Sequence, residues 1–190
     1  PWRRTRNPYR ILVSEMMLQQ TQVNRVIPKY HEWTRKYPSI RDLAKASVRE
    51  VRDTWYPLGY NIRPVRLHQI ARTAVRKHGG RLPASRDGLL RLKGIGPYTA
   101  GAVMTFAFNV PTPILDTNVR RVLRRVFYGS RPVGEPRLWS LSATLLPQRR
   151  GYDFNQALMD FGASICTART PQCVRCPMRE FCRAYAHLHG

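Results

Sequence analysis

The sequence predicts an all-α protein, on three observations. Apolar residues recur at helical spacing in one stretch after another. Little of the chain alternates with period two. Clusters of glycine and proline separate the stretches. With 190 residues, 43% of them hydrophobic, the chain can bury a real core as one domain or two small lobes. No apolar run approaches the ~20 residues of a membrane span, and no signal peptide is visible.

The elements follow in order. Residues 9–27, "YRILVSEMMLQQTQVNRVI", carry apolar positions at helical spacing, and Pro28 closes that helix. Two amphipathic helices follow at 39–55 and 64–78. "ASRDGLLRL" gives a short helix with Ser85 as its N-cap. Helices over 97–108, 117–128, 137–146 and 154–166 complete the chain. The turns between them are "YPLGYN", "KHGGRLP", "NVPTP" and "YGSRPVGEP".

Thirty-three Lys and Arg against eleven acids leave a formal net charge of +22, spread along the whole length. A purely structural protein gains nothing from such self-repulsion, so the partner implied is a polyanion, with nucleic acid the best fit. The stretch "LKGIGPYTAGAV" then raises the question of what its glycines hold. A dinucleotide fingerprint needs Gly at position 99, where Thr99 stands. A Walker loop needs Lys-Ser/Thr where Ala102-Val103 stands, and no strand precedes either. A tight turn between two helices remains. Gly94 and Gly96 permit close backbone approach, Pro97 suits a first helical turn, and the free N–H groups beyond it can hold a phosphate.

Four cysteines, Cys166, Cys173, Cys176 and Cys182, stand in the pattern C-x6-C-x2-C-x5-C, and the rest of the chain has none. Secreted disulfide domains seldom gather all their cysteines at one end of a helical chain. Structural zinc usually shows two short Cys/His pairs, and one C-x2-C is present. Four thiolates on so compact a loop can cage a [4Fe–4S] cluster, with zinc the alternative on spacing alone.

The carboxylates are few enough to weigh singly. Glu15, Asp116 and Asp160 have apolar sequence neighbours. Glu15 has Ile11, Leu12 and Leu18 within a helical turn; partial burial there keeps a carboxyl protonated, as a general acid must be. Asp116 precedes "TNVRRVL" and is a good N-cap. A helix N-terminus favours its anion, which could stabilise a cationic sugar. One raised and one depressed carboxyl is the division of labour in glycoside cleavage. Asp160, in "LMDFG", reads as structural. Arg120, Arg121, Arg124 and Arg125 form a basic helix face, read as a mixture of phosphate contacts and solvated charge.

These motifs together carry a resemblance. The glycine turn, "ILDTNVRRVL" and the cysteine pattern resemble the helix-hairpin-helix DNA glycosylases of the endonuclease III superfamily over essentially the whole chain. Within it, "PWRRTRNPYRILVSEMMLQQTQV", "LGYNIRPVRLHQIA" and "FNQALMDFGASICT" are most similar to the adenine DNA glycosylases. The resemblance implies an all-α fold of two helical lobes with a DNA-binding cleft between them: residues 12–112 as a six-helix helix-hairpin-helix domain, and 1–11 with 113–190 as the cluster domain. It implies a [4Fe–4S] cluster on the four cysteines and a phosphate held by Gly94 and Gly96. It assigns Glu15 as the acid that protonates adenine, Asp116 as the group that stabilises or attacks the sugar centre, and Tyr98 and Asn118 as their supports. Tyr98 stands where bifunctional relatives carry a Schiff-base lysine, so hydrolysis without strong lyase activity is expected. Trp2, Arg3, Leu18 and Gln156 match the adenine pocket, Gln20 and Thr21 the contacts to the opposite oxidised guanine, and Tyr60 the residue wedged into the duplex.

The expected activity is excision of adenine mispaired with 8-oxoguanine or guanine, by a cytoplasmic monomer acting on mispaired duplex DNA. In a prokaryote it would be associated with the nucleoid. Asn61 and Thr117 depart from the family, which often has a second tyrosine and a glycine there. Two other functions fit the same sequence. Thymine/uracil mismatch glycosylases share the fold, the cluster and the tyrosine, whereas "LQQTQ" and Gln156 look like the adenine enzymes. A non-catalytic iron–sulfur DNA-binding protein would not need Glu15 and Asp116 together.

Overall fold

In a computed structural model the described residues, 1–185, form ten α-helices and no strand. The chain divides into two compact units, 1–108 and 109–190. The first holds α1 (Pro8–Leu18), α2 (Val23–Lys36), α3 (Ile40–Lys45), α4 (Val48–Trp55), α5 (Ile62–His78), α6 (Arg86–Leu90) and α7 (Pro97–Phe106). Residues 1–11, expected with the cluster domain, pack within this unit. The Trp2 ring meets Tyr30 edge-on at 5.5 Å, and the Arg6 guanidinium donates to the Phe106 carbonyl at 3.1 Å.

α1 is the central helix of the first unit, packed against α2, α5 and α7. Asn7 caps it by accepting from the Arg10 N–H at 3.1 Å, and Pro8 occupies its first turn. Every residue from Ile11 to Met17 is buried, so Glu15 lies in a helix with no solvent face at that level. Beside it the fully buried Trp33 and Trp55 rings meet edge-on at 5.5 Å, and the Trp33 indole donates to the Tyr9 hydroxyl at 3.1 Å.

Three expected helices are divided in the fold. The stretch 9–27 breaks after Leu18, because the carbonyls of Met16, Met17 and Gln19 accept from the Arg63 guanidinium instead of from a next helical turn. Pro28 then lies inside α2, where its ring leaves the exposed Asn24 carbonyl to water. The stretch 39–55 is two helices, each with its own cap: Ser39 in a capping box with Asp42, and Ser47 accepting from the Glu50 N–H at 3.1 Å. The stretch 117–128 is α8 (Thr117–Leu123) followed by a π-helical turn over Arg124–Tyr128. Ser85 caps α6 as expected, accepting from the Gly88 N–H at 3.2 Å.

The second unit continues with α9 (Glu135–Leu145) and α10 (Gly151–Ser164), both packed on α8. Two short 3₁₀ turns, Cys173–Arg175 and Arg179–Phe181, carry the cysteine loop.

Candidate active site

In the first unit the Tyr98 hydroxyl donates to Glu15 Oε2 at 2.7 Å. Glu15 is 4% exposed and Tyr98 half-buried. α1 supplies the carboxyl and the first turn of α7 supplies the phenol, so the α1–α7 packing fixes the pair. Leu18 is half-buried one turn beyond Glu15. Lys93 is exposed in the turn before α7, not in the Tyr98 position. That turn joins α6 to α7 through Gly94, at φ +105°, where a β-carbon would meet the Arg66 side chain at 3.1 Å. Gly96 is the exposed N-cap of α7, with open space around it and no side-chain cap. Its geometry suits close approach by a ligand backbone.

In the second unit Asp116 caps α8, with Oδ1 accepting from the Val119 N–H at 2.7 Å. The expectation of a depressed acid is corrected here. Burial pushes the Asp116 carboxyl above its ordinary value, outweighing the N–H groups of Val119 and Asn118 and the charges of Arg121 and Arg120. Asn118 sits against α10, where a β-carbon on Gly162 would come within 2.7 Å of Asn118 Cβ. That close approach is what a glycine in "DFG" provides. Arg121 locks the junction, donating to Asn118 Oδ1 at 2.8 Å, to the Gly162 carbonyl at 2.5 Å and to the Cys166 carbonyl at 2.7 Å. Gln156 is half-buried on α10. Asp160 on the same helix is exposed, despite its apolar sequence neighbours.

The remaining recognition residues fall in the first unit. Trp2 is half-buried and Arg3 exposed in a short 3₁₀ turn before α1. Gln20 is exposed and Thr21 half-buried in the turn after α1. Tyr60 is 58% exposed before α5, which makes it surface and not core. Sequence reading missed Arg63, which is 4% exposed and bonded to both of these last two segments. Arg121 and Arg125, expected on a basic face of phosphate contacts and solvated charge, donate to carbonyls of the cysteine loop.

The four cysteines are half-buried and free of disulfides. Burial, and then the nearby sulfurs of Cys176, Cys166 and Cys182, push the Cys173 thiol up. Arg125 Nη1 lies 3.5 Å from Cys166 Sγ and donates to the Thr167 carbonyl at 2.6 Å. Its Nη2 donates to the Ala168 carbonyl at 3.0 Å. Among the described residues no three His, Cys, Asp or Glu side chains are arranged to hold a metal ion. Four thiols with an arginine beside them fit an anionic, all-sulfur cluster in donor chemistry and charge.

Residues 13–135 match the model of the HhH-GPD superfamily base excision DNA repair proteins, and residues 166–182 that of the iron-sulfur binding domain of endonuclease III. The cofactor of that domain is a [4Fe–4S] cluster. The adenine DNA glycosylase of Mus musculus is 43% identical over 99% of this chain. The match spans 39% of that relative's length. A thymine/uracil-DNA glycosylase of Methanothermobacter thermautotrophicus is 38% identical over 97% of this chain and 86% of its own length. The solved structure of a thermostable thymine-DNA glycosylase superposes with a TM-score of 0.92 at 37% identity, covering 98% of this chain and 88% of that one. Among the described residues no helix is long and apolar enough to cross a membrane.

Proposed function

This chain belongs to the HhH-GPD superfamily of base excision DNA repair proteins, and from that membership we propose that it is a monofunctional DNA glycosylase releasing adenine mispaired with 8-oxoguanine or guanine. The observation that carries the reading is the buried Glu15 carboxyl with the Tyr98 phenol hydrogen-bonded to it. A carboxyl so placed can deliver a proton to a departing base. A tyrosine in that position cannot form a Schiff base with the sugar.

In this mechanism Glu15 donates its proton to the base as the N-glycosidic bond breaks, and the bonding electrons leave with the base. Asp116, as the anion, stabilises the positive charge left on the sugar. Burial that disfavours this anion in the free protein also strengthens its attraction to a cation forming beside it. Water then adds to the sugar, its surplus proton passes to solvent, and an abasic site is left. Tyr98 and Asn118 hold the two carboxyls. By the family resemblance Trp2, Arg3, Leu18 and Gln156 are each assigned to adenine recognition, Gln20 and Thr21 to the opposite base, Tyr60 to the wedge in the duplex, and Gly94 and Gly96 to a phosphate. Extruding a base costs a few kcal/mol, least at a mispair, so a wedge and a pocket are physically required. Cys166, Cys173, Cys176 and Cys182 would hold the cluster, which cross-links residues 166–182. The functional division proposed is 12–112 against 1–11 with 113–190. The protein would act as a cytoplasmic monomer on mispaired duplex DNA.

A second reading, excision of thymine or uracil opposite guanine, is favoured by the 38% identity to the thymine/uracil-DNA glycosylase of Methanothermobacter thermautotrophicus and by the TM-score of 0.92 to a thymine-DNA glycosylase. Single-turnover base release decides between them on four duplexes: A opposite 8-oxoguanine, A opposite G, T opposite G and U opposite G. Adenine release that is abolished by Glu15→Gln supports the first reading. Release of T or U would replace it and withdraw the pocket roles of Arg3 and Gln156.

A further inference from the structure

Two exposed residues of the first unit have left-handed backbones that ordinary side chains avoid: Gln20 at φ +53° and Tyr60 at φ +49°. Neither is a glycine or an asparagine, so each conformation is unfavourable on its own and must be imposed by its surroundings. The two residues are far apart in sequence, yet one side chain brackets both. Arg63 Nη1 donates to the Met16, Met17 and Gln19 carbonyls at 2.8, 2.9 and 2.6 Å. Its Nη2 donates to Thr21 Oγ1 at 3.1 Å and to the Leu58 and Gly59 carbonyls at 3.3 and 3.4 Å. The guanidinium also lies 5.2 Å from the Tyr60 ring centroid and 5.2 Å from that of Trp55. The partners flanking Gln20 and those preceding Tyr60 therefore hang on one buried cation.

We propose that Arg63 is a positioning residue for base recognition, holding the Gln20 turn and the Tyr60 turn in register so that their side chains meet the mispair together. This rests on the recognition roles proposed above for Gln20 and Tyr60. Its partners are neutral oxygens, so the cation is held by oriented dipoles and no carboxylate stands between the two turns. A planar fork of five donors can span both turns, and a lysine ammonium cannot. The arrangement therefore depends on arginine and not merely on positive charge. It also explains why α1 stops at Leu18: its last carbonyls point to Arg63.

The test is equilibrium binding of the cluster-loaded protein in a Glu15→Gln background, which needs no turnover. Mispaired and fully paired duplexes are compared for Arg63, Arg63→Lys and Thr21→Ala. Arg63→Lys should narrow the ratio of the two affinities by about tenfold, within the range that losing one stacked aromatic brings. Binding to paired DNA should change little. Thr21→Ala removes one of the six partners and also a proposed base contact, so it is read as a cycle: it should narrow the ratio by less than Arg63→Lys, and its effect should shrink once Arg63→Lys is present. In a background already carrying Gln20→Ala and Tyr60→Ala, Arg63→Lys should change the ratio no further. An unchanged ratio with Arg63→Lys, or equal loss on both duplexes, would overturn the proposal. If Arg63→Lys does not fold, an unchanged ratio with Thr21→Ala overturns it instead. Failure of the functional reading is seen separately, as the absence of adenine release by the unmodified chain.

Discussion

Gly162→Ala tests the junction that holds Asn118 beside Asp116. A β-carbon at 162 would lie 2.7 Å from Asn118 Cβ and 3.2 Å from both the Cα and the carbonyl carbon of Asn118. Those atoms belong to the first turn of α8, so no flexible side-chain tip can yield. Overpacking of this kind costs about 1–3 kcal/mol, while alanine for glycine within a helix returns about 0.5–1 kcal/mol. The net is a loss of up to about 2.5 kcal/mol, or a fall in Tm of up to roughly 10 °C for a chain of this size. The effect on base release should be larger than the effect on folding. Arg121 ties the Gly162 carbonyl to Asn118 Oδ1, so pushing α10 away moves the residue next to Asp116. A displacement near 1 Å can cost about a hundredfold in rate. Urea unfolding of the cluster-loaded protein gives the first quantity and single-turnover base release the second. In an Asn118→Gly background, which removes the closest contact, Gly162→Ala should cost less. A Gly162→Ala variant as stable and as fast as the parent would refute the reasoning.

Asp116→Asn keeps a cap on the Val119 N–H, since asparagine caps as well as aspartate, and removes a charge that burial disfavours. Because the folded carboxyl titrates above its unfolded value, the parent loses stability as pH rises through the Asp116 value. The variant should therefore equal or exceed the parent's Tm at neutral pH, lose that advantage in acid, and release no base at an appreciable rate. Tyr98→Phe removes the 2.7 Å hydrogen bond to Glu15; single-turnover release should slow by about 10- to 100-fold, as losing about 1.5–3 kcal/mol implies. Arg125→Met strips donors from the Thr167 and Ala168 carbonyls. The visible absorbance of the cluster should then bleach faster under a chelator, with the helical circular dichroism of α1–α7 preserved.

The helices were legible because their signals are local. Apolar spacing located them, and Ser85 and Asp116 announced their own caps. The Ser39 and Ser47 caps were just as local, each followed three residues on by an acid. They were passed over because the apolar pattern ran straight through them. The break after Leu18 was not local at all: it depends on a guanidinium more than forty residues away. Asp160 shows the same limit from the other side, since apolar sequence neighbours do not say which face of a helix a residue takes. For Asp116 the local argument, a helix N-terminus, and the tertiary one, burial, have opposite signs, and burial is larger. The burial of Glu15 was legible because Ile11, Leu12, Met16 and Leu18 lie within one turn of it on α1.

The arginines change what the charge of +22 means. Arg63, Arg121 and Arg125 spend most of their hydrogen bonds on backbone carbonyls, at a helix end or along the cysteine loop. A planar fork satisfies several unpaired carbonyls at once, which a lysine cannot do. Arg63 bonds neutral oxygens alone, so its charge is not neutralised and still adds to the field that draws a polyanion in, whereas Arg125 also faces Cys166 Sγ of the anionic cluster site and Arg121 acts on the Asp116 carboxyl. Only groups that meet phosphates directly release counterions and set the salt dependence of binding. Composition therefore measures the attraction at long range, while the number of phosphate contacts must be smaller. A tether such as Arg63, bonded to neutral oxygens alone, serves the fold and the steering field together, so replacing it by an uncharged residue would slow association even where the DNA never touches it.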